Sequence, residues 1–291
     1  MQPVAVLMLA YNKIEHTRVC LNGLLQSTYP HLLFELVDNG SNEPVEALFR
    51  EFGARAAARG WETDVVRLAK PAGAIGGRNA GFERLLARND LRAIALVDND
   101  VMPRHLSWVE RLVERLEATP RRGIVGPKLV YPNPPHLIQC AGCEVSPEGK
   151  VDFAGRGLPR DTPAFEVERP VQALISACWL MRPEFPRTVG LLDDRFSPVQ
   201  YEDVDYCYRV REAGFECVYT PAAEMYHFEN TTTDGSADVN YTYVTVKNGM
   251  KFKAKWQHRF ALEQGRPARD MVWREIPRVR LDVTQLPEQL P

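Results

Sequence analysis

The chain has 291 residues and 45% of them are hydrophobic, which is enough for a globular protein with a substantial core in one large domain or two small ones. No apolar run approaches the roughly 20 residues needed to cross a bilayer, and no basic segment or small-residue cleavage site accompanies the first apolar run. These features favour a cytoplasmic protein over a membrane-spanning one. The net charge is -2, but residues 247–280 contain ten lysines and arginines against three acids.

Six cysteines lie scattered within apolar patterns, which indicates free thiols in a reducing compartment. Cys140 and Cys143 have the spacing of a zinc or redox motif, but no second pair of cysteines accompanies them. We therefore expect reduced thiols here, with zinc binding as the alternative.

Short apolar runs alternate with amphipathic helical patterns over the first hundred residues. Strands are predicted at residues 4–9, 33–37, 65–68 and 93–97, and helical patterns follow each of them. Strands separated by helices favour an α/β fold with a parallel sheet and right-handed crossovers. Ligands of such sheets bind beyond the carboxyl ends of the strands.

Polar residues follow three of these predicted strands, and each set alone is also typical of an ordinary turn. They are Ala10-Tyr11-Asn12, Asp38-Asn39-Gly40-Ser41 and Asp98-Asn99-Asp100. An aromatic ring such as Tyr11 can cover a base, and a carboxylate can accept hydrogen bonds from a base or ribose. The paired carboxylates of Asp98 and Asp100 offer hard oxygen ligands to a divalent cation that meets a diphosphate. Three such strand ends at one sheet edge favour a nucleotide site.

A glycine-rich segment at residues 73–81 follows the third strand and opens a helix. It contains Gly76, Arg78 and Asn79, and it has neither the Walker order nor the dinucleotide-binding order of glycines. Its glycines would allow close approach of the backbone to a ligand, and Arg78 can meet a phosphate. A plain loop with a helix start explains the glycines as well.

In this order, the three polar strand ends and the glycine-rich segment resemble the nucleotide-binding half of family 2 glycosyltransferases, which have the GT-A fold. Two later segments are similar to the acceptor half, especially in the rhamnosyltransferase-like branch; they are Ser176-Ala177-Cys178-Trp179-Leu180-Met181 and Tyr201-Glu202-Asp203-Val204-Asp205-Tyr206-Cys207-Tyr208-Arg209. The resemblance covers residues 3–230. It implies a Rossmann-like mixed sheet flanked by helices and an inverting transfer of a hexose or deoxyhexose from a nucleoside diphosphate sugar, expected to be a UDP- or dTDP-sugar, to an acceptor hydroxyl.

The resemblance also implies roles for individual residues. It assigns Mn²⁺ or Mg²⁺ to Asp98, Asp100 and His227, although Phe228 and Glu229 follow this histidine where the family commonly has small residues. It assigns Asp38 to the nucleobase, Asp98 to the ribose or the metal, and Asp203 to the general base. The expected donor-binding set is Tyr11, Asn12, Asp38, Gly76, Arg78, Asn79, Asp98 and Asn99.

The residues themselves give a separate argument for Asp203. A helix is predicted at 201–213, with Glu202 and Asp203 in its first turn, where the helix dipole favours an ionised carboxylate. Displacement at an anomeric carbon needs a base to take the proton of the incoming hydroxyl, and a carboxylate suits that role. The alternative is that these acids only cap the helix. Glu202 and Asp205 share one helix face, while Asp203 points elsewhere. Glu202 is kept as a second catalytic candidate and Asp205 as an acceptor-binding one.

Trp179 is a second acceptor-binding candidate, because an aromatic face can stack on a sugar ring; a place in the core would explain it equally well. We expect the acceptor pocket to be built from variable loops such as residues 133–164, with a glycan or lipid-linked glycan as the acceptor.

We predict a GT-A catalytic domain at residues 1–230, with the nucleotide-binding half at 1–100 and the acceptor half at 101–230. Residues 231–291 are predicted to form a flexible loop suited to a lid, a basic amphipathic helix and a tail. In that helix, Met250, Phe252, Trp256 and Phe260 would pack on the catalytic domain and Lys247, Lys251 and Lys255 would lie opposite.

This basic segment is either a solvated helix face or a surface for an anionic acceptor. A lipid-linked glycan at the inner membrane face and modified nucleic acid are the two anionic candidates.

Two other functional classes remain open. A sugar-1-phosphate nucleotidyltransferase would need a glycine-rich signature and a lysine just after the first strand, and Ala10-Tyr11-Asn12 has neither. A non-catalytic sugar-nucleotide sensor would keep Asp38, Asp98 and Asp100 without needing Asp203.

Overall fold

The computed structural model describes residues 2–229 and 240–276. The predicted lid at 231–236 and the tail at 281–291 lie outside these residues. The strands are β1 (Val4–Ala10), β2 (Leu32–Asp38), β3 (Glu62–Arg67), β4 (Ala93–Asp98), β5 (Val101–Pro103), β6 (Arg122–Val130), β7 (Ile138–Cys140), β8 (Cys143–Val145), β9 (Val151–Phe153), β10 (Arg169–Val171), β11 (Cys178–Met181) and β12 (Glu216–His227). The helices are α1 (Ile14–Leu25), α2 (Val45–Ala57), α3 (Gly73–Leu85), α4 (Trp108–Glu117), α5 (Phe185–Thr188), α6 (Glu202–Glu212) and α7 (Tyr241–Phe260).

The first half of the chain forms the predicted α/β unit. β3, β2, β1 and β4 lie side by side and are all parallel, with helices in the connections between them. β1 and β2 are buried almost throughout, as expected for central strands with both faces covered. Because the strands are in register, Ala10 lies beside Asp38 and Leu9 beside Asp98, which places the three polar strand ends at one edge of the sheet.

The second half extends this sheet with strands of both directions. β11 pairs antiparallel with both β4 and β6, and β12 runs parallel to β6, so the sheet continues in the order β4, β11, β6, β12 and β10. β5 and β7 pair with β12 and β6, and β8 with β9 forms a separate ribbon. The mixed sheet flanked by helices that was predicted is therefore confirmed.

α7 packs on the rest of the chain with an apolar row. Phe252, Trp256 and Phe260 are buried and belong to the main hydrophobic core, as predicted for this helix. Met250 does not follow the prediction, because its side chain is 68% exposed on the outer face. Lys255 also differs, since its ammonium contacts the carboxylates of Asp193 and Asp205 on the inner side of the helix.

All six cysteines are buried free thiols, as predicted. Cys140 Sγ contacts the Gly142 carbonyl. A hydrogen bond with Cys140, together with burial, raises the pKa of the Cys143 thiol, which favours its protonated form. Among the residues that the structure describes, no helix is both long and apolar enough to span a bilayer.

Candidate active site

A cavity of about 590 Å³ opens beyond the carboxyl ends of β1 and β4. The strand ends supply one wall, the first turns of α3 and α6 supply a second, and the 175–177 segment before β11 supplies a third. The lining includes the polar or aromatic side chains of Tyr11, Asn39, Arg78, Asp98, Asp100, Glu202, Asp203 and His227. Asn99 also lines the cavity, and its amide donates a hydrogen bond to Thr17 Oγ1 at 2.8 Å.

Three of these side chains form a cluster that can hold a metal ion. One ligand atom each from Asp98, Asp100 and His227 lies within 4.8 Å of the others. β12 runs antiparallel to β5 and so carries His227 alongside the turn that holds Asp100. His227 Nε2 is 3.3 Å from Asp100 Oδ1. Two carboxylates and an imidazole suit Mn²⁺, and the oxygen ligands suit Mg²⁺ as well.

Gln139 orients the His227 ring through a contact at Nδ1, the nitrogen that points away from the cluster. Its side-chain oxygen lies 2.6 Å from His227 Nδ1, so a proton on Nδ1 is donated to Gln139 and Nε2 is left to face the cluster. Burial lowers the pKa of the imidazole, but the carboxylates of Asp100 and Asp98 outweigh it, and the net effect is a raised pKa. A cation in this cluster would therefore compete with a proton at Nε2.

Arg78 joins the metal cluster to α6. Its Nη2 donates to Asp98 Oδ1 at 2.5 Å and its Nη1 donates to Glu202 Oε1 at 2.9 Å. Burial opposes the charged guanidinium, yet Asp98 and Glu202 raise its pKa, so it stays cationic. Arg78 lines the cavity while it engages these two carboxylates, and its contact with a donor phosphate stays a prediction.

The two acids at the start of α6 lie beside the cavity on a constrained backbone. The preceding residues Gln200 and Tyr201 both have left-handed φ angles, of 79° and 73°. For side chains other than glycine this conformation carries strain, and such strain is often found at functional sites. Asp203 accepts hydrogen bonds from Val204 N at 2.7 Å and from Ser176 N at 3.2 Å.

The environment makes the two acids harder to ionise than in water. Burial and then the Asp203 charge raise the pKa of Glu202 to about 7, against the opposing effect of Arg78. Burial also raises the pKa of Asp203, while the backbone donors at Val204 and Ser176 work in the other direction. Within the described residues, Glu202 Oε2 has no hydrogen-bond partner although it is buried. The pair can therefore hold or accept a proton near neutral pH.

The structure keeps Asp38 and Asn12 away from the cavity wall. Asp38 is fully buried; it accepts from Ser41 N at 2.9 Å and forms an ion pair with Arg67. Asn12 accepts hydrogen bonds from the backbone of Asn42 and Glu43. Both side chains shape the turn after β2, and the neighbouring Asn39 lines the cavity instead. The contacts of Asp38 and Asn12 with a nucleotide stay predictions.

Gly76 and Asn79 lie inside α3, not in a loop around a ligand. A Cβ on Gly76 would stand 2.9 Å from Ala72 Cβ, so close packing explains this glycine. Asn79 exchanges two hydrogen bonds with the Leu192 backbone, each of 2.9 Å. Gly73 is the glycine at the cavity: its φ is +72°, and a Cβ there would stand 2.8 Å from Pro198 O.

The two acceptor-binding candidates are core residues. Trp179 is fully buried on β11, where its ring stacks on Tyr206 with centroids 6.2 Å apart. Asp205 is fully buried and contacts Arg209, Lys255 and Trp256 Nε1. The core alternative for Trp179 therefore describes its place in the structure, and the acceptor contacts of both residues stay predictions.

Several cavity residues were not predicted from the sequence. Glu229 lines the cavity two residues after His227, and Arg156 donates to it at 2.9 Å while Tyr131 donates at 2.9 Å. Strand periodicity could not have indicated Glu229, because β12 ends at His227 and Glu229 has a left-handed φ of 59°. Phe153 and Tyr241 also line the cavity, and no local pattern marks them or Gln139.

Curated relatives match different portions of the chain. An uncharacterised protein of Sinorhizobium fredii is 28% identical over 89% of this chain and 28% of its own length. The glycosyltransferase AglE of Haloferax volcanii is 29% identical over 40% of this chain and 36% of its own length. The chain thus spans about a third of the length of these two relatives. An N-acetylglucosaminyl-diphospho-decaprenol L-rhamnosyltransferase of Mycobacterium tuberculosis is 29% identical over 78% of this chain and 76% of its own length.

Solved structures share the fold at low sequence identity. The crystal structure of GalNAc-T7 with UDP, GalNAc and Mn²⁺ aligns with a TM-score of 0.61 and 15% identity over 78% of this chain and 43% of that one. The mannosyltransferase PcManGT of Pyrobaculum calidifontis, in complex with GDP-Man and Mn²⁺, aligns with a TM-score of 0.56 and 15% identity over 89% of this chain and 72% of that one. The predicted GT-A fold is therefore confirmed.

The sequence profile of glycosyl transferase family 2 matches residues 5–184, which is more than half of the chain and includes the three polar strand ends, α3 and β11. The chain belongs to glycosyl transferase family 2.

Proposed function

We propose that this chain transfers a sugar from a nucleoside diphosphate sugar to an acceptor hydroxyl, with inversion at the anomeric carbon and without a covalent intermediate. The main support is that the candidate metal ligands and the candidate base share one cavity. The cluster of Asp98, Asp100 and His227 and the acid pair of Glu202 and Asp203 line the same cavity. Family membership and the GT-A fold support it. The catalytic domain would extend to about residue 230, and α7 would complete its core.

Asp98, Asp100 and His227 would hold a divalent cation, which stabilises negative charge on the leaving diphosphate when it is bound. The chain prepares this site in two ways. Arg78 engages Asp98 Oδ1, which leaves the second oxygen of that carboxylate for the cation. Gln139 turns Nε2 of the imidazole toward the cluster. Both structural neighbours contain Mn²⁺, which agrees with this donor set.

We assign the general base to Asp203 and a positioning role to Glu202. Asp203 accepts two backbone hydrogen bonds, which support its ionised form and aim the carboxylate. Glu202 is held by Arg78. A single displacement needs one base that takes the proton of the attacking hydroxyl, so one acid suffices and the pair need not act as nucleophile and acid.

The donor end of the cavity lies at Tyr11 and Asn39, whose side chains suit stacking on a base and hydrogen bonding to it. We keep UDP- or dTDP-sugars as the proposed donors; one structural neighbour holds UDP and the other GDP-Man. For the acceptor we propose a glycan or a lipid-linked glycan, because the mycobacterial relative acts, by its name, on a diphospho-decaprenol-linked sugar.

The test is release of nucleoside diphosphate from a panel of UDP-, dTDP- and GDP-sugars with Mn²⁺, with and without an extract of lipid-linked glycans. The proposal expects one donor to release its nucleoside diphosphate, faster with the extract. A sensor would raise its melting temperature with a donor and release nothing. A nucleotidyltransferase would instead form pyrophosphate from a nucleoside triphosphate and a sugar 1-phosphate. Either of these outcomes would overturn the proposal.

A further inference from the structure

α7 exposes an apolar row on the side turned away from the core. Tyr243, Val246 and Met250 are 61%, 60% and 68% exposed. Ala254 is exposed as well. Their spacing of three, four and four residues places them on one helix face. This face is separate from the buried row of Phe252, Trp256 and Phe260, so α7 has two apolar faces, and residues 2–229 and 240–276 pack against one of them.

Lysines flank the exposed row. On a helical projection, Lys247 lies on one side of the row and Lys253 on the other, and both are exposed. The twenty residues of α7 include four lysines, one arginine and no acid. Lys255 pairs with Asp193 and Asp205 on the inner side, so the charge of the outer face comes from Lys247 and Lys253, which have no ion-pair partner among the described residues. Apolar side chains flanked by positive charge are typical of helices that lie in a membrane interface.

We propose that this face of α7 binds the surface of an anionic phospholipid bilayer, with Tyr243, Val246 and Met250 inserted among the lipids and Lys247 and Lys253 beside the headgroups. A nucleic acid would satisfy the lysines, but its phosphates and grooves offer no apolar compartment for Val246 and Met250. A second copy of the chain would cover the apolar row but would bring two lysine rows together. An anionic bilayer satisfies both features.

The position of α7 would bring the proposed membrane surface close to the cavity. Tyr241, the first residue of α7, lines the cavity, so the bilayer would lie near the cavity rim. This consequence rests on the proposed function, whereas the membrane binding does not. The sugar of a lipid-linked acceptor could then reach the cavity while its lipid stays in the bilayer.

The experiment is co-sedimentation of the full chain with vesicles, in the absence of donor and acceptor. We expect binding to vesicles of phosphatidylglycerol with phosphatidylcholine, little binding to phosphatidylcholine alone, and weaker binding as salt rises. Val246→Ser and Met250→Ser should each weaken binding about tenfold, and Lys247→Glu with Lys253→Glu should weaken it at least as much. Val167→Ser removes a comparably exposed apolar side chain elsewhere and is the matched control.

Melting temperatures of the variants show whether each remains folded, which is expected because the substituted side chains are exposed. The proposal is overturned if the wild-type chain stays in the supernatant with anionic vesicles, or if the α7 variants sediment like the Val167→Ser control. It is also overturned if a DNA duplex binds the chain and the Val246 and Met250 variants bind it equally, since the lysines alone would then explain the surface. Nucleoside diphosphate release is measured separately, so loss of membrane binding and failure of the proposed reaction can be told apart.

Discussion

Arg78 donates a 2.5 Å hydrogen bond to Asp98, and so the helix after β3 holds one of the candidate metal ligands at the end of β4. The same guanidinium reaches Glu202 on α6. Three segments that are far apart in the chain thus meet at the buried guanidinium of Arg78. This side chain couples the geometry of the metal cluster to that of the acid pair.

Arg78→Lys tests this coupling, because lysine keeps the positive charge but lacks the planar guanidinium that donates to both carboxylates. We expect Mn²⁺ affinity to fall by about 10- to 100-fold, the usual effect of removing a group that orients a ligand. Isothermal titration calorimetry measures it. Unchanged affinity would show that Asp98 needs no such support.

Asp100→Ala should abolish measurable Mn²⁺ binding, since it removes one of the three proposed ligands and the partner of His227 Nε2. Asp161→Ala, which removes an exposed acid elsewhere, is the control. The folded state of both variants is checked by thermal melting. Retained Mn²⁺ binding in Asp100→Ala would remove this residue from the site.

Asp203→Asn should leave donor binding nearly intact and slow transfer by about 10² to 10⁴, the usual contribution of a positioned base. The amide keeps the size of the side chain and one acceptor oxygen. Donor affinity by thermal shift and turnover by nucleotide release separate the two effects. Near-normal turnover would move the base role to Glu202.

Glu202 should make the protein less stable as the pH rises. Its pKa is raised from 4.5 to about 7, so between these values the folded chain binds its proton more tightly than the unfolded chain does. The stabilisation is complete below the lower value and is lost as the pH passes the higher one, with a slope of up to about 1 kcal/mol per pH unit.

Glu202→Gln should flatten this dependence, and urea unfolding across the range measures it. Asp203 adds a slope of the same sign that remains in the variant, because its pKa is raised as well. Identical slopes in the wild type and Glu202→Gln would mean that Arg78 keeps Glu202 ionised.

Lys255→Met should destabilise the protein by about 1–3 kcal/mol, because the buried Asp205 loses its ammonium partner but keeps Arg209 and Trp256 Nε1. Lys247→Met, on the outer face of the same helix, is the matched control and should change the unfolding free energy little. Equal effects of the two substitutions would contradict the assignment of Lys255 to the inner side.

Much of the fold could be predicted from local patterns. The alternation of apolar strands and amphipathic helices indicated the parallel unit of β1 to β4, because periodicity reflects which side of an element is buried. The strand ends at Tyr11, Asp98 and Asp100 also reached the cavity as expected, since parallel strands in register end at one edge. The boundaries were less accurate; the glycine-rich segment at 73–81 was expected only to open a helix, whereas α3 begins at Gly73 and includes the whole segment.

The sequence by itself thus determined the class of fold, the motifs of the family and the edge of the sheet where the site lies. Only the tertiary structure decided which side chains face the cavity. Asp38 turns to Ser41 and Arg67 while Asn39 lines the wall, and Arg78 finds partners 20 and 124 residues away. Periodicity and turn chemistry act over a few residues, whereas the partner of a buried charge is set by whichever distant element packs against it.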